Sequence, residues 1–534
     1  MMCMVEENAT SFAFRGANGT DMFDAPSFRL ANRFNDYGVI TTSNDVFYVN
    51  YSHWYQLIAK ANLALYAAEL PQIVWASGND KAYVIAQAKF FRAYCYRNLC
   101  ELYGGVPIVK EITSTARYDF VRATRAETYQ FAIDEMENIL PNLPETSSQI
   151  GRIVRGAAQH NLCQLHLALG ITLQQDGKES EAKQAYAKSI VYGDDLIDKS
   201  VYGLMSERFG SRKNENPEFY FAQSEKDQIE QHLYSEVGHP IEGNVIWDMF
   251  QEGNQNYQEG NKEAIWVAQI DYQANKVEDG ASKLQYSRIY GPVFRDGGRA
   301  HLAGMMEDAG GRGISQIIPT RYTRDIIYEG KFADDLRNSN AVWRRLFLGN
   351  VASSPYYGKP VPWDATGFDE KVLLTFSTCF PVSCKIATDK YTGLEDGQNR
   401  GNLFRDEYII RLAETVLLRA EAKWRNGDSN GAASDINLLR NRAKCAHLVA
   451  AGDVNVDLIL DERARELVYE ECRWNTLLRM GGKVAVERIK KYAYWNSEVN
   501  ASLNFEFNLW PIPQVVRDTN KDAPIAQNPG WENR

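Results

Sequence analysis

The sequence lacks any apolar run that approaches the roughly 20 residues needed to cross a bilayer as a helix. It also lacks a basic excess, because the formal net charge is -10, whereas a nucleic-acid-binding protein needs a basic face to displace counterions. Hydrophobic residues make up 44% and charged residues 24% of the 534 positions, as is typical of a globular protein with a large core. Nucleic acid is therefore not expected as a partner.

Signatures of catalysis are also missing. The chain contains no GxSxG nucleophile elbow, no GxGxxG fingerprint after a strand and no Walker-type Gly-Lys-Ser/Thr. Its seven histidines form no HExxH, and the spacing of His160 and His166 does not place both on one helix face for a shared metal. No cofactor is expected. A calcium site built from loop oxygens stays an alternative, because such a site does not need the EF-hand spacing.

Paired carboxylates need separate treatment, because glycoside hydrolysis uses two of them across a cleft. The candidate glutamates lie in helical segments with arginines nearby, so ion pairs on a helix surface or between helices explain them better. The glutamates are Glu414, Glu421, Glu462, Glu466 and Glu470, and the arginines are Arg411, Arg419, Arg463, Arg465 and Arg473. The sequence therefore predicts a protein without catalytic machinery, and a glycoside hydrolase is the less favoured alternative.

Cysteine usage indicates no zinc ribbon, because the eight cysteines include no CxxC pair. Cys379 and Cys384 flank Pro381, which leaves a local disulfide open. The others that fall in helical patterns among apolar neighbours are expected to be buried thiols. These are Cys95, Cys100, Cys163, Cys445 and Cys472.

Helical periodicity is the strongest positive signal. It predicts helices over about 51–70, 80–102, 125–140 and 456–480. Residues 153–193 and 406–446 share one further plan: a helix, a glycine turn, and a second helix with an alanine five positions after the glycine. Small residues there let antiparallel helices approach closely, as in tetratricopeptide-type hairpins. The two copies are about 250 positions apart, so the region between them is predicted to be an insertion.

That middle region, about 200–400, is rich in Gly, Asn, Asp, Tyr and Trp and reads mostly as loops and short helices. Ala264–Ile270 is the one segment that predicts a buried strand. The chain has 11 Trp, 29 Tyr and 23 Phe, and rings in loops either plug small cores or form platforms for a ligand. Because loops on a rigid scaffold often carry function, the residues alone indicate a mainly α-helical binding or interaction protein.

Five segments, in order, resemble the SusD/RagB-like family of outer-membrane nutrient-binding lipoproteins. They are YSHWYQLIAKAN at 51–62, AKFFRAY at 88–94 with LYGGVP at 102–107, RLAETVLLRAEA at 411–422, LDERAREL at 460–467 with RW at 473–474, and LWPIP at 509–513 with QNPGW at 527–531. The resemblance spans about 48–531 and implies a single domain, 1–534. In this implied domain, tetratricopeptide-like hairpins at 48–200 and 401–500 form the scaffold, and residues 201–400 form a loop-rich ligand-binding insertion with a few short strands.

The same resemblance implies a function. Such proteins are lipid-anchored at the outer-membrane surface of Bacteroidota, bind oligosaccharide or polysaccharide without catalysis, and deliver it to a SusC-like TonB-dependent transporter. A helical scaffold that binds peptide or protein is the alternative. The anchor rests on the family alone, because Met1-Met2-Cys3 is not preceded by the apolar region of an export signal. A cytoplasmic start and a chain that begins after a removed signal both stay open, as do the glycan bound and the oligomeric state.

Sugar rings present apolar C–H faces and many hydroxyl groups, so their binding sites combine aromatic platforms with polar edges. We therefore expect platforms from the loop before the second helix and from the insertion. The predicted platforms are Trp75, Tyr286, Tyr290, Tyr356, Tyr357 and Trp363, and the predicted polar edges are Arg288 and Asp364.

Overall fold

Helices dominate the architecture in the computed structural model. It describes residues 16–25, 34, 36–225, 228–273, 286–292, 301–302, 313, 315–362, 380–390, 392, 404–493 and 496–534. The α-helices of this part are α1 (Asp45–Ala68), α2 (Gly78–Tyr103), α3 (Arg125–Ile139), α4 (Arg155–Gln175), α5 (Glu179–Ile197), α6 (Val245–Met249), α7 (Tyr286–Tyr290), α8 (Arg321–Arg324), α9 (Leu412–Arg425), α10 (Ser429–Arg442), α11 (Val456–Leu467), α12 (Arg473–Met480), α13 (Val484–Tyr492), α14 (Asn496–Ser502) and α15 (Gln514–Thr519). The predicted mainly α fold is confirmed.

The two predicted hairpins are α4–α5 and α9–α10, and they lie side by side. Gly177 and Gly427 end the first helix of each pair with φ of 76° and 91°, a backbone conformation that glycine adopts without steric cost. Across the contact between the hairpins, a Cβ on Gly193 of α5 would come within 3.0 Å of the Arg419 side chain of α9. Arg419 also pairs with Asp194 of α5 at 2.9 Å. Residues far apart in sequence thus form one helical scaffold, from which the middle region emerges.

The glycine pair after α2 has a steric cause. Gly104 ends the helix with φ of 73°, and a Cβ on Gly105 would lie 1.9 Å from the carbonyl oxygen of Ala123. The extended segment that follows can therefore pass directly against the N-terminal end of α3, where Thr124 and Glu127 form a capping box.

One helix predicted from the sequence is wrong. The segment 456–480 forms two helices, α11 and α12, because the chain turns at 468–472 with Tyr469 at φ of 65°. The turn directs Glu470 to Arg411 at 2.9 Å and Glu471 to Arg463 at 2.7 Å. Pairing of these carboxylates with guanidinium groups stabilises the turn more than the periodic apolar residues would stabilise one continuous helix.

The insertion is built from short elements. Its strands pair antiparallel with each other or with strands outside the insertion, and the predicted strand at Ala264 is confirmed. They are β1 (Phe23–Asp24) with β5 (Ile318–Pro319), β2 (Tyr220–Glu225) with β3 (Gln228–Leu233), β4 (Ala264–Ala268) with β8 (Glu407–Arg411), and β6 (Trp343–Arg344) with β7 (Val382–Ser383). Around them lies an insertion core of buried rings and aliphatic chains, separate from the scaffold core of the long helices.

A set of buried charged residues, here called the ionic seam, connects the insertion to the scaffold. It contains the buried residues Glu263, Asp335, Arg337, Lys385, Arg411, Arg442, Glu462 and Glu466, together with Glu470, whose side chain is 8% exposed. Arg337 pairs with Asp335 at 2.7 Å and with Glu462 of α11 at 2.8 Å. Arg411 pairs with Glu263 at 2.7 Å. The predicted pairing of the scaffold glutamates with arginines is confirmed, both between elements and within a helix, as for Glu421 and Arg425 at 2.8 Å.

The cysteines predicted to be buried thiols are free, and Cys472 is the one that is partly exposed. Cys384 is also a free buried thiol, whereas Cys379 lies outside the described residues. In the described part of the chain, no helix combines the length and apolar character required to traverse a bilayer.

Candidate ligand-binding surface

Trp75 lies in the loop between α1 and α2, where its indole is half-buried. Backbone bonds from Leu70 to Ala67 and from Ile73 to Leu70, each 3.1 Å, hold the start of this loop against the end of α1. At the other end, the Ser77 hydroxyl accepts from the Asp80 amide at 3.1 Å and caps α2. A rigid scaffold thus presents a tryptophan to solvent.

The neighbours of Trp75 are apolar and exposed, with 42% of Ile73 and 93% of Val74 accessible. Within the described residues, the indole N–H of Trp75 has no hydrogen-bond partner. A half-exposed indole with a free donor beside exposed aliphatic groups can stack on an apolar ring face and donate to a hydroxyl. The structure is therefore compatible with the expected platform at this position.

Tyr356 and Tyr357 are half-buried on a tight turn of the insertion. The Ser354 hydroxyl accepts from the Tyr356 amide and the Ser354 carbonyl accepts from the Tyr357 amide, each at 3.1 Å. His301 bonds the same hydroxyl at 2.8 Å and meets the Tyr356 ring edge-on at 5.1 Å. The turn backbone packs on Gly349, where a Cβ would lie 2.5 Å from the Tyr356 carbonyl oxygen. This turn is held as firmly as the Trp75 loop.

Tyr286 and Tyr290 are at the two ends of α7 and are buried, with 8% and 4% exposure. The Tyr286 hydroxyl donates to Glu407 at 2.7 Å. The Tyr290 ring lies 5.5 Å from Phe23 and 5.0 Å from Tyr469 between centroids. Both rings face protein in this arrangement, because they fill the insertion core. Arg288, between them, is partly exposed.

Trp363 and Asp364 lie outside the described residues, so their predicted roles stay predictions. Tyr286 lines a buried cavity whose lining includes neither Trp75 nor the Tyr356–Tyr357 turn. Of the eight, Trp75, Tyr356 and Tyr357 offer accessible ring faces and Arg288 a partly exposed cation.

A buried polar cavity of about 80 Å³ was not predicted from the sequence; Tyr286, Glu407, Glu414 and His160 contribute to its lining. Burial raises the pKa of Glu407 to about 8, partly offset by the bond from Tyr286. Burial lowers the pKa of His160 to about 4. Glu414 pairs with Arg463 at 2.8 Å. Each of these groups has a partner, which indicates a structural network; no spacing in the sequence could have shown that they converge.

Among the residues that the structure describes, no three His, Cys, Asp or Glu side chains are placed to hold a metal ion. The loop-built calcium site stays untested by this observation, because much of the insertion lies outside the described residues.

Comparison with known proteins places both ends of the chain in one family. A model described as "SusD family" matches residues 384–531, and one described as "Starch-binding associating with outer membrane" matches residues 2–167. SusD-like protein P2 of Formosa agariphila is 24% identical over 498 residues, which cover 89% of this chain and 79% of that protein.

Solved structures share the whole architecture. A SusD homolog from Bacteroides thetaiotaomicron aligns with a TM-score of 0.67 at 16% identity, over 98% of this chain and 94% of its own. A laminarin-binding SusD-like protein aligns with a TM-score of 0.59 at 18% identity, over 98% and 95% of the two chains. The fold class is thus a scaffold of tetratricopeptide-like hairpins that carries a loop-rich insertion. The chain belongs to the SusD/RagB-like family.

Proposed function

We propose that this protein captures oligosaccharide or polysaccharide at the outer-membrane surface and delivers it, unhydrolysed, to a SusC-like TonB-dependent transporter. In this proposal the protein is held at the membrane by an N-terminal lipid anchor. The observation that carries the proposal is the half-exposed indole of Trp75, presented on a loop in a chain of the SusD/RagB-like family. The laminarin-binding relative is consistent with glycan as the ligand class.

The ligand surface in this proposal combines the Trp75 loop with the Tyr356–Tyr357 turn and Arg288. Sugar binding needs ring faces that water can reach and polar groups at their edges, and these residues provide both. Tyr286 and Tyr290 support the surface from beneath by packing in the insertion core. Trp363 and Asp364 are retained as sequence-based candidates. The division into scaffold (48–200 and 401–500) and ligand-binding insertion (201–400) is part of the same proposal.

The absence of hydrolysis is supported by the state of the carboxylates. A glycosidase needs one carboxyl to donate a proton and a second to act on the anomeric carbon. The scaffold glutamates are instead paired with buried guanidinium groups, for example Glu462 with Arg440 at 2.9 Å and Glu414 with Arg463 at 2.8 Å. Such pairs keep carboxylates ionised and immobile.

Affinity electrophoresis through gels that contain single polysaccharides tests the proposal. Retardation by at least one glycan is expected, and the same mixtures should release no reducing sugar over hours. Released sugar would show an enzyme and overturn the non-catalytic assignment. Retention of peptides or proteins, with no glycan retarding the chain, would favour the interaction scaffold.

Delivery to a transporter is tested separately, by purifying the full-length protein from outer membranes of its native cell. Co-purification of a large TonB-dependent β-barrel is expected. Its absence would overturn the delivery step without affecting glycan capture.

A further inference from the structure

A second pocket lies at the other end of α1 from the Trp75 loop. It has a volume of about 270 Å³ and lies between α1, the extended segment after α2, and α15. Ala68 follows Tyr51 by 17 positions in the helix, which places this pocket roughly 25 Å from the end of α1 where the Trp75 loop begins. It is therefore distinct from the surface assigned to glycan.

One wall is a stripe of tyrosines. Tyr48, Tyr51 and Tyr55 follow each other at spacings of three and four and so share one face of α1. Val515 and Ile525 face them from the C-terminal segment. The mouth is open, since Tyr48 is 44% and Val515 46% exposed.

The lining is nearly neutral, and most of its polar groups have internal partners. Arg117 is the one formally charged side chain among the described lining residues, and it pairs with Asp119 at 2.9 Å. The Tyr55 hydroxyl donates to the Pro107 carbonyl at 2.6 Å. The Asn520 side chain bonds the Phe120 backbone at 2.9 and 2.8 Å.

We propose that this pocket binds one neutral aromatic ring, either a free phenol or an aryl group attached to a larger ligand. Edge-to-face contact with tyrosine rings and aliphatic contact with valine and isoleucine match such a ring. The volume is just below the range of drug-sized sites and suits a single substituted ring. A sugar ring fits poorly, because several hydroxyl groups would lose water with few free partners in the pocket. The exposed Tyr48 hydroxyl is available for the one hydroxyl of a phenol.

Fluorine NMR of 4-fluorophenol titrated with the full chain tests this assignment. We expect saturable one-to-one binding with a dissociation constant in the millimolar range or tighter. Val515→Arg puts a long charged side chain at the mouth and should weaken binding roughly tenfold or more. Val191→Arg is the matched control, because Val191 is an exposed helix valine, 49% accessible, on α5. It should leave binding unchanged.

Competition defines the ligand class. Phenyl β-D-glucoside should displace 4-fluorophenol, and methyl β-D-glucoside should not. Trp75→Ala should not affect either result, which separates this pocket from glycan capture. The proposal is overturned if 4-fluorophenol does not bind, if Val515→Arg binds it as well as the parent chain, or if the methyl glucoside displaces it. Tyr48→Ala, which shortens an exposed side chain, gives a second variant that should weaken binding if Val515→Arg does not fold.

Discussion

The scaffold and the insertion differ in how each satisfies its buried polar groups. In the scaffold, long helices satisfy their own backbone groups, and close packing of small and apolar residues does the rest. In the insertion, short elements leave carbonyl groups that side chains must satisfy. The buried Arg405, for example, donates to the carbonyls of Phe250 at 2.6 Å and Cys384 at 3.0 Å.

A buried cation between aromatic rings is a second example from the insertion. Arg344 is buried in the insertion, with its guanidinium carbon 4.1 Å from the Phe219 ring centroid and 4.8 Å from that of Phe347. Its Nη2 donates to the Tyr234 hydroxyl at 2.9 Å. The insertion is thus ordered mainly by individual side-chain contacts between distant residues. The scaffold adds such contacts, for example Asn475 with Glu101 at 2.8 Å, to the repeated backbone bonds of its long helices. The contacts that hold the insertion to the scaffold should therefore be the most sensitive to mutation.

The largest expected effect is in the ionic seam. Glu466 contacts Arg411 at 2.9 Å, Arg337 at 3.2 Å and also Arg442. Burial alone would raise its pKa, but the three arginines outweigh burial and the pKa is lowered. Glu466→Ala leaves these cations without their shared anion and should lower the free energy of unfolding by about 3–5 kcal/mol. Urea unfolding followed by tryptophan fluorescence measures the loss.

An exposed pair is the control for the seam. Lys81 and Glu69 are 2.7 Å apart, with side-chain exposures of 34% and 64%. Lys81→Ala should change the unfolding free energy by about 0–1 kcal/mol. Equal losses of unfolding free energy for Glu466→Ala and Lys81→Ala would contradict a larger contribution of the ionic seam to stability.

A pH-dependent effect is expected at Glu407, where the insertion helix α7 meets β8. The folded pKa of about 8 lies above the ordinary 4.5, so protonated Glu407 stabilises the fold fully below pH 4.5, and this stabilisation is lost as the pH rises through 8. Glu407→Gln keeps an acceptor for Tyr286 and cannot ionise. It should be more stable than the parent chain at pH 8, by on the order of 3 kcal/mol or less. Parallel melting curves at pH 5 and pH 8 measure the difference; a gap that does not widen with pH would contradict the raised pKa.

A smaller loss is expected in the scaffold, at Gly105. A Cβ there would meet backbone atoms of Ala123 and Thr124 within 3 Å, so Gly105→Ala forces apart α2 and the segment before α3. Overpacking of this kind costs about 1–3 kcal/mol. Gly203→Ala is the control, because nothing lies within 4 Å of the added carbon. The thermal unfolding midpoint of Gly105→Ala should be lower than that of Gly203→Ala. Equal midpoints would contradict the close approach of Gly105 to the backbone of Ala123 and Thr124.

The smallest expected energetic effect is on ligand affinity. Trp75→Ala removes the exposed platform and should weaken glycan binding about tenfold, or about 1.4 kcal/mol. Trp424 is also half-buried, but it lies at the end of α9 with Arg425 over its ring at 5.5 Å. Trp424→Ala should leave affinity unchanged. Calorimetry with a glycan that retards the parent chain measures the affinity of the parent, Trp75→Ala and Trp424→Ala proteins. Equal affinities for all three would show that Trp75 is not part of the ligand surface.

Much of the scaffold could be predicted from the sequence, because helical periodicity and glycine turns are local signals. The hairpins at 153–193 and 406–446 are examples, and their side-by-side packing follows from shape once both exist. The break at Tyr469 could not be predicted this way. Its cause is the pairing of Glu471 with Arg463 and Arg473 across the turn, and of Glu470 with Arg411, 59 positions away. The long-range contact leaves no mark in local spacing.

The candidate site could be predicted only in part, for a related reason. An aromatic residue in a loop gives the same local pattern whether its ring is buried or exposed. Tyr286 and Trp75 both lie in segments predicted to be loops, yet of the two only Trp75 presents part of its ring to solvent. Burial of Tyr286 depends on Glu407, 121 positions away. Sequence pattern therefore predicts the scaffold and a set of candidate rings, and contacts at long range determine which of those rings are buried.

The most direct test of the account is hydrogen–deuterium exchange of the full chain with and without a bound polysaccharide. New protection is expected at 70–77 and at 351–362, with unchanged exchange in the scaffold hairpin 155–197. Protection confined to the hairpin, with none in the two loop regions, would contradict a ligand surface that the loops form and the scaffold only supports.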